Sequence, residues 1–369
     1  MTTPRTSTTS LASTSETRPG TDETRPGTSQ SRPVDPGPSA AAGGELPADT
    51  VDVAVLGGGA AGLSGALMLA RSRRSVVVID SGTPRNAPAE GIHGLLGNEG
   101  TAPADYLERG RAEVRQYGGV VLAGEVAAAR AADPAADGDL RFTVDLVDGR
   151  RLTARRLLLA TGIRDELPEI PGLAAHWGRS VVHCPYCHGW EVRDQPIGII
   201  ATRPASLHQA LMFRQLSDDI TVFAAGLEID EATRERFVAR GIRLIEDPIE
   251  EIVDGPDGAL AGVRLVGGEV VARTALAVAT SLSPRMEGLE ELGLRLEEAG
   301  GGIGQKIAAG FAGVSEVPGV WIAGNAADPS AQVGPSAAGG ALAGGHINGM
   351  LVMADADAAV AAQKQGAVV

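Results

Sequence analysis

The chain has 369 residues, enough for two ordinary domains with sizeable hydrophobic cores. Its formal net charge of -14 argues against nucleic acid or an anionic membrane as the main partner. With 50 glycines and only 3% aromatic residues, the composition favours an α/β protein with tight turns over an all-β protein. Two cysteines do not make the disulfide framework of an extracellular domain.

Residues 1 to about 48 are rich in Thr, Ser, Pro and Gly and contain almost no large apolar side chains. A hexamer, Glu-Thr-Arg-Pro-Gly-Thr, occurs twice, at Glu16–Thr21 and Glu23–Thr28. Because such a segment buries too little apolar surface to offset chain entropy, residues 1–48 are predicted to be a disordered tail. The tail lacks the basic start, apolar run and cleavage site of a secretory signal, and we expect a cytoplasmic protein. A docking or targeting role is the alternative to a dispensable extension.

A glycine-rich turn follows the first predicted strand, Val51–Leu56, and leads into a helix of small residues. The turn consists of Gly57, Gly58, Gly59, Ala60, Ala61 and Gly62. In a Gly-x-Gly-x-x-Gly turn, Gly57 makes the tight bend, Gly59 lets the backbone approach a pyrophosphate, and Gly62 allows close helix–strand packing. The next strand ends on Asp80, whose carboxylate can accept hydrogen bonds from ribose hydroxyls. The combination predicts a dinucleotide site.

The following segment predicts a helix and further strands of the same domain. A helical pattern covers Ala104–Tyr117, and alternating apolar positions predict strands at Val120–Ala129, Arg141–Leu146 and Arg151–Leu159. The last of these strands runs directly into a small-residue turn, Ala160-Thr161-Gly162.

Both cysteines of the chain lie in one motif, His183-Cys184-Pro185-Tyr186-Cys187-His188. Their Cys-x-x-Cys spacing lets the sulfurs close a small ring, so the pair can cycle between dithiol and disulfide. A helix that begins at Pro185 would place its N-terminus near a thiolate and stabilise it. The flanking histidines, His183 and His188, can move protons near neutral pH.

Three other interpretations of this motif stay open from the residues alone. Cys-x-x-Cys-His is also the attachment signature of c-type haem, which needs an exported apoprotein. A structural zinc site needs four ligands, and these side chains are too close in sequence to form a comfortable tetrahedron, so no metal is predicted. The cysteines could also be inert buried residues.

Near its end the chain contains a short strand and turn, Trp321-Ile322-Ala323-Gly324-Asn325. The following segment, Pro329–Met353, has no charged side chain, so a membrane span has to be considered. Its glycines, together with His346 and Asn348, make it too poor in large apolar residues, and we predict a buried, tightly packed helix.

Taken in order, these motifs resemble the low-molecular-weight thioredoxin reductase group of flavoproteins over roughly residues 50–353. The resemblance implies an α/β fold with two Rossmann-like domains, in which a discontinuous FAD-binding domain carries an inserted NADPH-type domain with the cysteine pair. The implied limits are 49–165 and 285–369 for the FAD domain and 166–284 for the insert. It also implies FAD as the cofactor and a homodimer.

The resemblance further implies a role for particular side chains. Cys187 would lie beside the isoalloxazine and Cys184 would be the outward-facing exchange thiol, while His188 stands where relatives have an aspartate acid/base. Asn325 replaces an aspartate that relatives use on the ribityl chain. The implied FAD contacts are the turn residues Gly57, Gly58, Gly59, Ala60, Ala61 and Gly62, together with Asp80, Asn86, His93, Val126, Ala160, Thr161, Gly162, Gly324, Asn325, Gln332 and Val333.

The inserted domain departs from the group at its second phosphate-binding loop. Alignment of its first strand with Val53–Gly62 places Ala201, Arg203 and Ser206 at the three glycine positions. The Cβ atom of Arg203 occupies the place where backbone should touch a pyrophosphate, and Pro204 lacks an N–H donor. The next strand ends without the basic residues that NADPH-using relatives place near the 2′-phosphate. The NADPH-type site is therefore predicted to be degenerate.

These features together predict an FAD-dependent thiol oxidoreductase, and specifically a dithiol oxidase. It would take electrons from a dithiol, either a small molecule or a thioredoxin-like protein, and pass them to O2 to give hydrogen peroxide. His188, with His183, would deprotonate the incoming thiol. In these respects the chain is similar to the oxidases that close disulfides in natural products such as gliotoxin and holomycin. The alternatives are an NADPH-dependent thioredoxin-disulfide reductase, an enzyme reduced by a protein such as ferredoxin, and a flavoprotein that only binds or senses.

Overall fold

A computed structural model of the chain describes residue 46 and residues 50–135 and 138–366. The predicted tail and its repeated hexamer lie outside the described residues, except for Leu46, which packs against the first core. The strands are β1 (Val51–Leu56), β2 (Val76–Asp80), β3 (Val120–Ala123), β4 (Val126–Ala132), β5 (Arg141–Leu146), β6 (Arg151–Leu159), β7 (Ile163–Glu166), β8 (Val181–Val182), β9 (Ile197–Ile200), β10 (Ile220–Phe223), β11 (Arg243–Ile245), β12 (Ile249–Asp254), β13 (Leu260–Leu265), β14 (Val270–Ala272), β15 (Ala275–Val278), β16 (Ser281–Pro284), β17 (Leu296–Glu298), β18 (Gln305–Ile307) and β19 (Val320–Ile322). The helices are α1 (Ala60–Arg71), α2 (Pro103–Gln116), α3 (Pro185–His188), α4 (Pro204–Phe213), α5 (Glu231–Arg240) and α6 (Val333–Gly366).

The first sheet has the order β3-β2-β1-β6-β5-β4, and β19 joins it beside β6. Strand β6 pairs with two strands along the edge that faces away from β1. Its first half pairs with antiparallel β5 and its second half with parallel β19. Strands β1 and β2 and the last part of β6, Leu157–Leu159, are largely apolar and buried on both faces, as parallel strands covered by helices require. The sheet thus combines residues from the beginning and the end of the chain.

A second, five-stranded sheet has the order β11-β10-β9-β15-β8, and all its pairings are parallel. An antiparallel sheet of β12, β13 and β14 packs beside it around a shared apolar core. Strands β7 and β16 pair with each other where the chain enters and leaves this region. This arrangement confirms the predicted α/β fold with an inserted second Rossmann-like sheet. The exact limits at 165/166 and 284/285 stay predictions.

One predicted strand is in fact two. The segment Val120–Ala129 breaks after Ala123, where the N–H of Gly124 donates to the carbonyl of Asp80 at the end of β2. The chain then crosses to the other edge of the sheet, where β4 pairs with β5. The alternating pattern continues through both strands, which is why the break was not apparent from the sequence.

Helix α6 lies against α1, and glycines set the close distance between them. A Cβ atom on Gly340 would come within 1.9 Å of the carbonyl oxygen of Ala61, and one on Gly344 within 2.5 Å of that of Gly65. The prediction of a tightly packed helix is correct for this face only, because side chains such as Met350 are exposed on the other face. No helix in the described part of the chain is long and apolar enough to cross a membrane.

Candidate active site

A cavity of about 460 Å³ lies at the carboxyl ends of β1, β2 and β6, beside the start of α6. This is the edge at which open parallel sheets bind their ligands. It is lined by the cysteine pair and both flanking histidines, and by all the predicted FAD contacts except Gly62 and Val126. The structure therefore brings together residues that are more than 250 positions apart in sequence, for example Gly57 and Gln332, and places the cysteine pair beside them.

The glycine turn forms a cradle that fits a dinucleotide. Gly57 adopts a φ of +111°, and a Cβ there would lie 2.3 Å from the carbonyl oxygen of Ala160. At Gly62, which lies outside the cavity lining, a Cβ would meet the Gly57 carbonyl at 1.9 Å. In contrast, a Cβ on Gly59 would have no described atom within 4 Å. The backbone thus closes tightly around Gly57 and opens at Gly59, where a pyrophosphate needs room at the start of α1.

Asp80 lies beside this turn and is already fixed in place. Its Oδ1 accepts a hydrogen bond of 3.0 Å from the N–H of Gly82, and its Oδ2 accepts one of 2.9 Å from Arg111 on α2. A Cβ on Gly58 would come within 2.5 Å of the Asp80 carboxylate, so Gly58 is required for this close approach. A carboxylate held in this way is oriented to accept from the ribose of FAD.

The cysteine pair occupies the first turn of α3, as predicted. Cys184 and Cys187 form a disulfide with their Cα atoms 5.2 Å apart. Pro185 is the first helical residue, and the N–H of Cys187 lies 3.1 Å from the Cys184 sulfur. From the other domain, Gln332 Nε2 lies 3.8 Å from the Cys184 sulfur and 3.6 Å from that of Cys187. Within the described residues no group of three or more His, Cys, Asp or Glu is placed to hold a metal ion.

His188, which follows Cys187, lies in the cavity wall with its Nε2 buried and, among the described residues, not hydrogen-bonded. Burial lowers its pKa below the usual histidine value, and the nearby His93 adds to this, whereas Glu191 works against it. His93 itself lies between two carboxylates, 2.6 Å from Glu99 Oε1 and 3.6 Å from Glu191 Oε1. A neutral imidazole with a free nitrogen can accept a proton.

His183, on the other side of the pair, contacts a different network. Its carbonyl oxygen accepts a 2.5 Å hydrogen bond from Gln209 of α4. Burial lowers the pKa of His183, Arg85 lowers it further, and Asp165 opposes this effect. Burial alone would raise the pKa of Asp165, but bidentate bonds of 2.6 Å from Arg85 and one of 2.7 Å from Thr280 hold it below its usual value.

Asn325 shapes the loop that precedes α6. Its side-chain nitrogen donates to the carbonyl oxygens of Asp328, Pro329 and Ala331, at 3.1, 3.3 and 2.7 Å. These bonds use the nitrogen, so the amide oxygen is the atom that remains to accept from a ribityl hydroxyl. The N-terminus of α6, at Val333, borders the same cavity and carries no acidic residue in its first turn. Its positive end favours a reduced, anionic flavin.

Some residues of the site differ from the sequence prediction. Val126 begins β4 and packs against the first core, outside the cavity lining. Conversely, the sequence does not predict the cluster of Arg85, Asp165 and Thr280. Asp165 lies 80 positions from Arg85 and 115 positions from Thr280, and the three residues share no motif. Glu191 follows His188 by three positions, which is the one signal that could have identified it.

The loop between β9 and α4 does not reproduce the cradle of the first domain. Ala201 is buried and lacks the positive φ of Gly57, and Arg203 stands before α4 with extended backbone, φ -155° and ψ 162°. A second cavity, of about 430 Å³, follows β10 and is lined by Glu228 and Glu246. Among the described residues that line it, Arg234 is the one cation, and it forms a bidentate bond with Glu246 at 2.6 and 3.0 Å. Carboxylates at this place repel a nucleotide phosphate.

The sequence model for pyridine nucleotide-disulphide oxidoreductases matches residues 51–366. The chain belongs to the pyridine nucleotide-disulphide oxidoreductase family. As a member of this family it is a flavin-dependent disulfide oxidoreductase, and FAD is its cofactor. The cradle at Gly57 and Gly59 and the oriented Asp80 are consistent with that cofactor.

Relatives within the family match most of the chain. The thioredoxin reductase tcpT of Claviceps purpurea is 35% identical over 285 residues, which cover 74% of this chain and 86% of tcpT. The thioredoxin reductase sirT of Leptosphaeria maculans is 32% identical over 318 residues, or 82% of this chain and 95% of sirT. Among solved structures, the crystal structure of HlmI is 43% identical with a TM-score of 0.81, and the match covers 88% of this chain and 99% of HlmI.

Proposed function

We propose that this disulfide oxidoreductase is a dithiol oxidase that uses O2 as electron acceptor. The observation that carries the proposal is the altered nucleotide site of the inserted domain. Arg203 replaces a glycine at the start of α4, and the cavity beyond β10 is acidic where an NADPH phosphate would need cations. Without a reducing nucleotide, electrons must enter through the cysteine pair.

The side chains around the disulfide support the entry of a dithiol. A substrate thiolate attacks the Cys184 sulfur, a substrate–Cys184 disulfide forms, and Cys187 leaves as a thiolate. The second substrate thiol then displaces Cys184, so that one substrate disulfide forms and the enzyme pair becomes a dithiol. The turn at Gly57–Gly59 and Asp80 would hold FAD, which would supply the two-electron oxidation of that dithiol back to the disulfide and the reduction of O2, with two protons, to hydrogen peroxide.

His188 supplies the proton acceptor for this sequence. Its buried, unbonded Nε2 and its lowered pKa keep a neutral imidazole available at neutral pH. Glu191 and His93 are near enough to shift its pKa in opposite directions, and Glu99, which pairs with His93, is largely exposed. We propose that protons from the substrate thiols reach solvent through these groups.

The substrate is a dithiol, either a small molecule or a thioredoxin-like protein. We also propose a homodimer, which the exposed apolar side of α6 supports through Leu342, Met350 and Met353. A cytoplasmic location is proposed from the low cysteine content, because exported domains depend more often on structural disulfides.

Oxygen consumption by the full-length yellow protein tests the oxidase. With dithiothreitol in air, we expect peroxide in amounts equal to the dithiol oxidised, without any effect of added NADPH. The Cys187→Ser variant should keep its flavin but lose this turnover, because the enzyme disulfide cannot form. Turnover that requires NADPH and a disulfide substrate would show instead a thioredoxin-disulfide reductase.

A further inference from the structure

The FAD cavity contains two arginine side chains in its lining, Arg85 and Arg285, and they differ in how their charge is balanced. Arg85 forms a bidentate ion pair with Asp165. Arg285 has no ion-pair partner among the described residues, and its Nε is buried without a hydrogen bond. Arg285 is half-buried, and partial burial of a cation without a counter-charge has a free-energy cost that an anionic ligand would offset.

The backbone holds Arg285 against the dinucleotide cradle. Its N–H donates to the carbonyl of Gly162 at 3.2 Å, and its carbonyl accepts from Thr161 Oγ1 at 3.1 Å. These two residues belong to the turn that touches Gly57, since a Cβ on Gly57 would meet Ala160 and Thr161. Arg285 is therefore fixed beside the first phosphate-binding loop, although in sequence it directly follows β16.

The side chain is directed to the adenosine end of the cavity. Its Nη1 donates to the carbonyl and to Oγ1 of Thr83, at 3.1 and 3.0 Å. Thr83 follows Asp80 by three residues, and Asp80 is the predicted ribose acceptor. The cysteine pair, Gln332 and the start of α6 mark the opposite, flavin end of the same cavity.

The electrostatic surroundings agree with an anionic ligand at this point. Burial lowers the pKa of Arg285, and Arg164 lowers it further, while Glu287 opposes this. Glu287 is itself paired with Arg164 on the exposed side. The local charge thus stays positive in a chain whose formal net charge is -14.

We propose that Arg285 binds the diphosphate of FAD and is a main charge contact for the adenosine half of the cofactor. Its Nη2, which the bonds to Thr83 leave free, donates to phosphate oxygens, while those bonds from Nη1 keep the guanidinium oriented. The proposal concerns cofactor binding alone and stands or falls independently of the electron acceptor.

Flavin release from the full-length holoprotein tests this contact. Serial dilution frees FAD, whose fluorescence is quenched when bound, and gives Kd at low and high ionic strength. In Arg285→Met we expect Kd to rise roughly 10- to 100-fold, the effect of a lost charge-assisted bond, with a smaller dependence on salt. Arg285→Lys keeps the charge and should retain most of the salt dependence.

The matched control is Arg295→Met, which removes an exposed cation that pairs with Glu316 and lies outside the cavity lining, and it should leave Kd unchanged. If Arg285→Met purifies without flavin, the comparison of Arg285→Lys with Arg285→Gln takes its place. The proposal is overturned if Arg285→Met releases FAD like the wild type. It is equally overturned if affinity falls while the salt dependence stays the same, since Arg285 would then only shape the cavity.

Discussion

Replacing His188 by Asn should slow the transfer of electrons from a dithiol to the flavin without removing the flavin. The imidazole lines the cavity, follows Cys187 directly, and has a buried nitrogen that is free to take a proton. Asparagine keeps a polar side chain of similar reach but cannot act as a base. General-base contributions of this kind are worth roughly 100- to 10,000-fold in rate, and we expect a loss in that range.

The pH dependence separates a proton acceptor from a structural residue. Because burial disfavours the charged imidazolium, the pKa of His188 is lowered, and the wild-type rate should hold as pH falls to values below about 6.5. Once the pH falls below the lowered pKa of His188, protonation of the imidazole removes the base and the rate declines. In the variant the midpoint of this decline should move from the histidine range to that of the substrate thiol, near about 8.5 for an ordinary thiol.

The assay is anaerobic stopped-flow mixing of the yellow protein with excess dithiothreitol, with the loss of flavin absorbance as the readout. It covers the range from about pH 5 to about pH 9, in which histidine and thiol groups titrate. His208→Asn is the matched control, because His208 is exposed on α4 and should not affect the rate. A His188→Asn rate within about threefold of wild type, with the acid decline unchanged, would refute the reasoning and point to His183.

Three further predictions concern stability and substrate binding. Asp165→Asn leaves the Arg85 guanidinium without its buried partner and should lower the free energy of unfolding, measured in urea, by about 3 kcal/mol. The double variant with Arg85→Met should lose less than the sum of the losses in the two single variants. A loss below about 1 kcal/mol for Asp165→Asn would contradict this. The folded-state pKa of Asp139 is lowered to about 2, so its carboxylate contributes stability above pH about 4 that disappears as pH falls through about 2. In urea unfolding, Asp139→Asn should therefore lower the free energy of unfolding by about 2 kcal/mol at pH 7 and by little at pH 2. A loss that does not depend on pH would exclude the charge as its cause. Tyr186 is 72% exposed between the two cysteines and offers a ring to the substrate, so Tyr186→Ala should raise KM up to about tenfold with little change in kcat. Tyr117→Ala, at the C-terminal end of α2, should change neither constant. Equal KM values in both variants would remove Tyr186 from the substrate site.

The parts of the site that could be predicted from the sequence are local motifs. The turn at Gly57–Gly62 and the helix that begins at Pro185 follow from steric and hydrogen-bonding demands that neighbouring residues meet. The degenerate loop at Arg203 was visible for the same reason, because a side chain stands where a glycine is required.

The remaining features depend on contacts between distant segments. Asp165 meets Arg85 across 80 positions, and nothing in either segment indicates the pairing. The acidic cavity beyond β10 arises because Glu246 comes from the end of β11 to lie beside Glu228. Helix α6 is uncharged over its first part, which predicts burial, yet only the face toward α1 is covered. Composition alone does not tell which face of such a helix finds a partner.

The most direct test of an oxidase that cannot use NADPH is an anaerobic titration of the full-length flavoprotein, first with NADPH and then with dithiothreitol, followed by flavin absorbance. We predict no bleaching by NADPH, full bleaching by the dithiol, and recovery with formation of peroxide when air is admitted. Prompt bleaching by a stoichiometric amount of NADPH would contradict it, because Arg203 and the acidic cavity would then not prevent nucleotide binding.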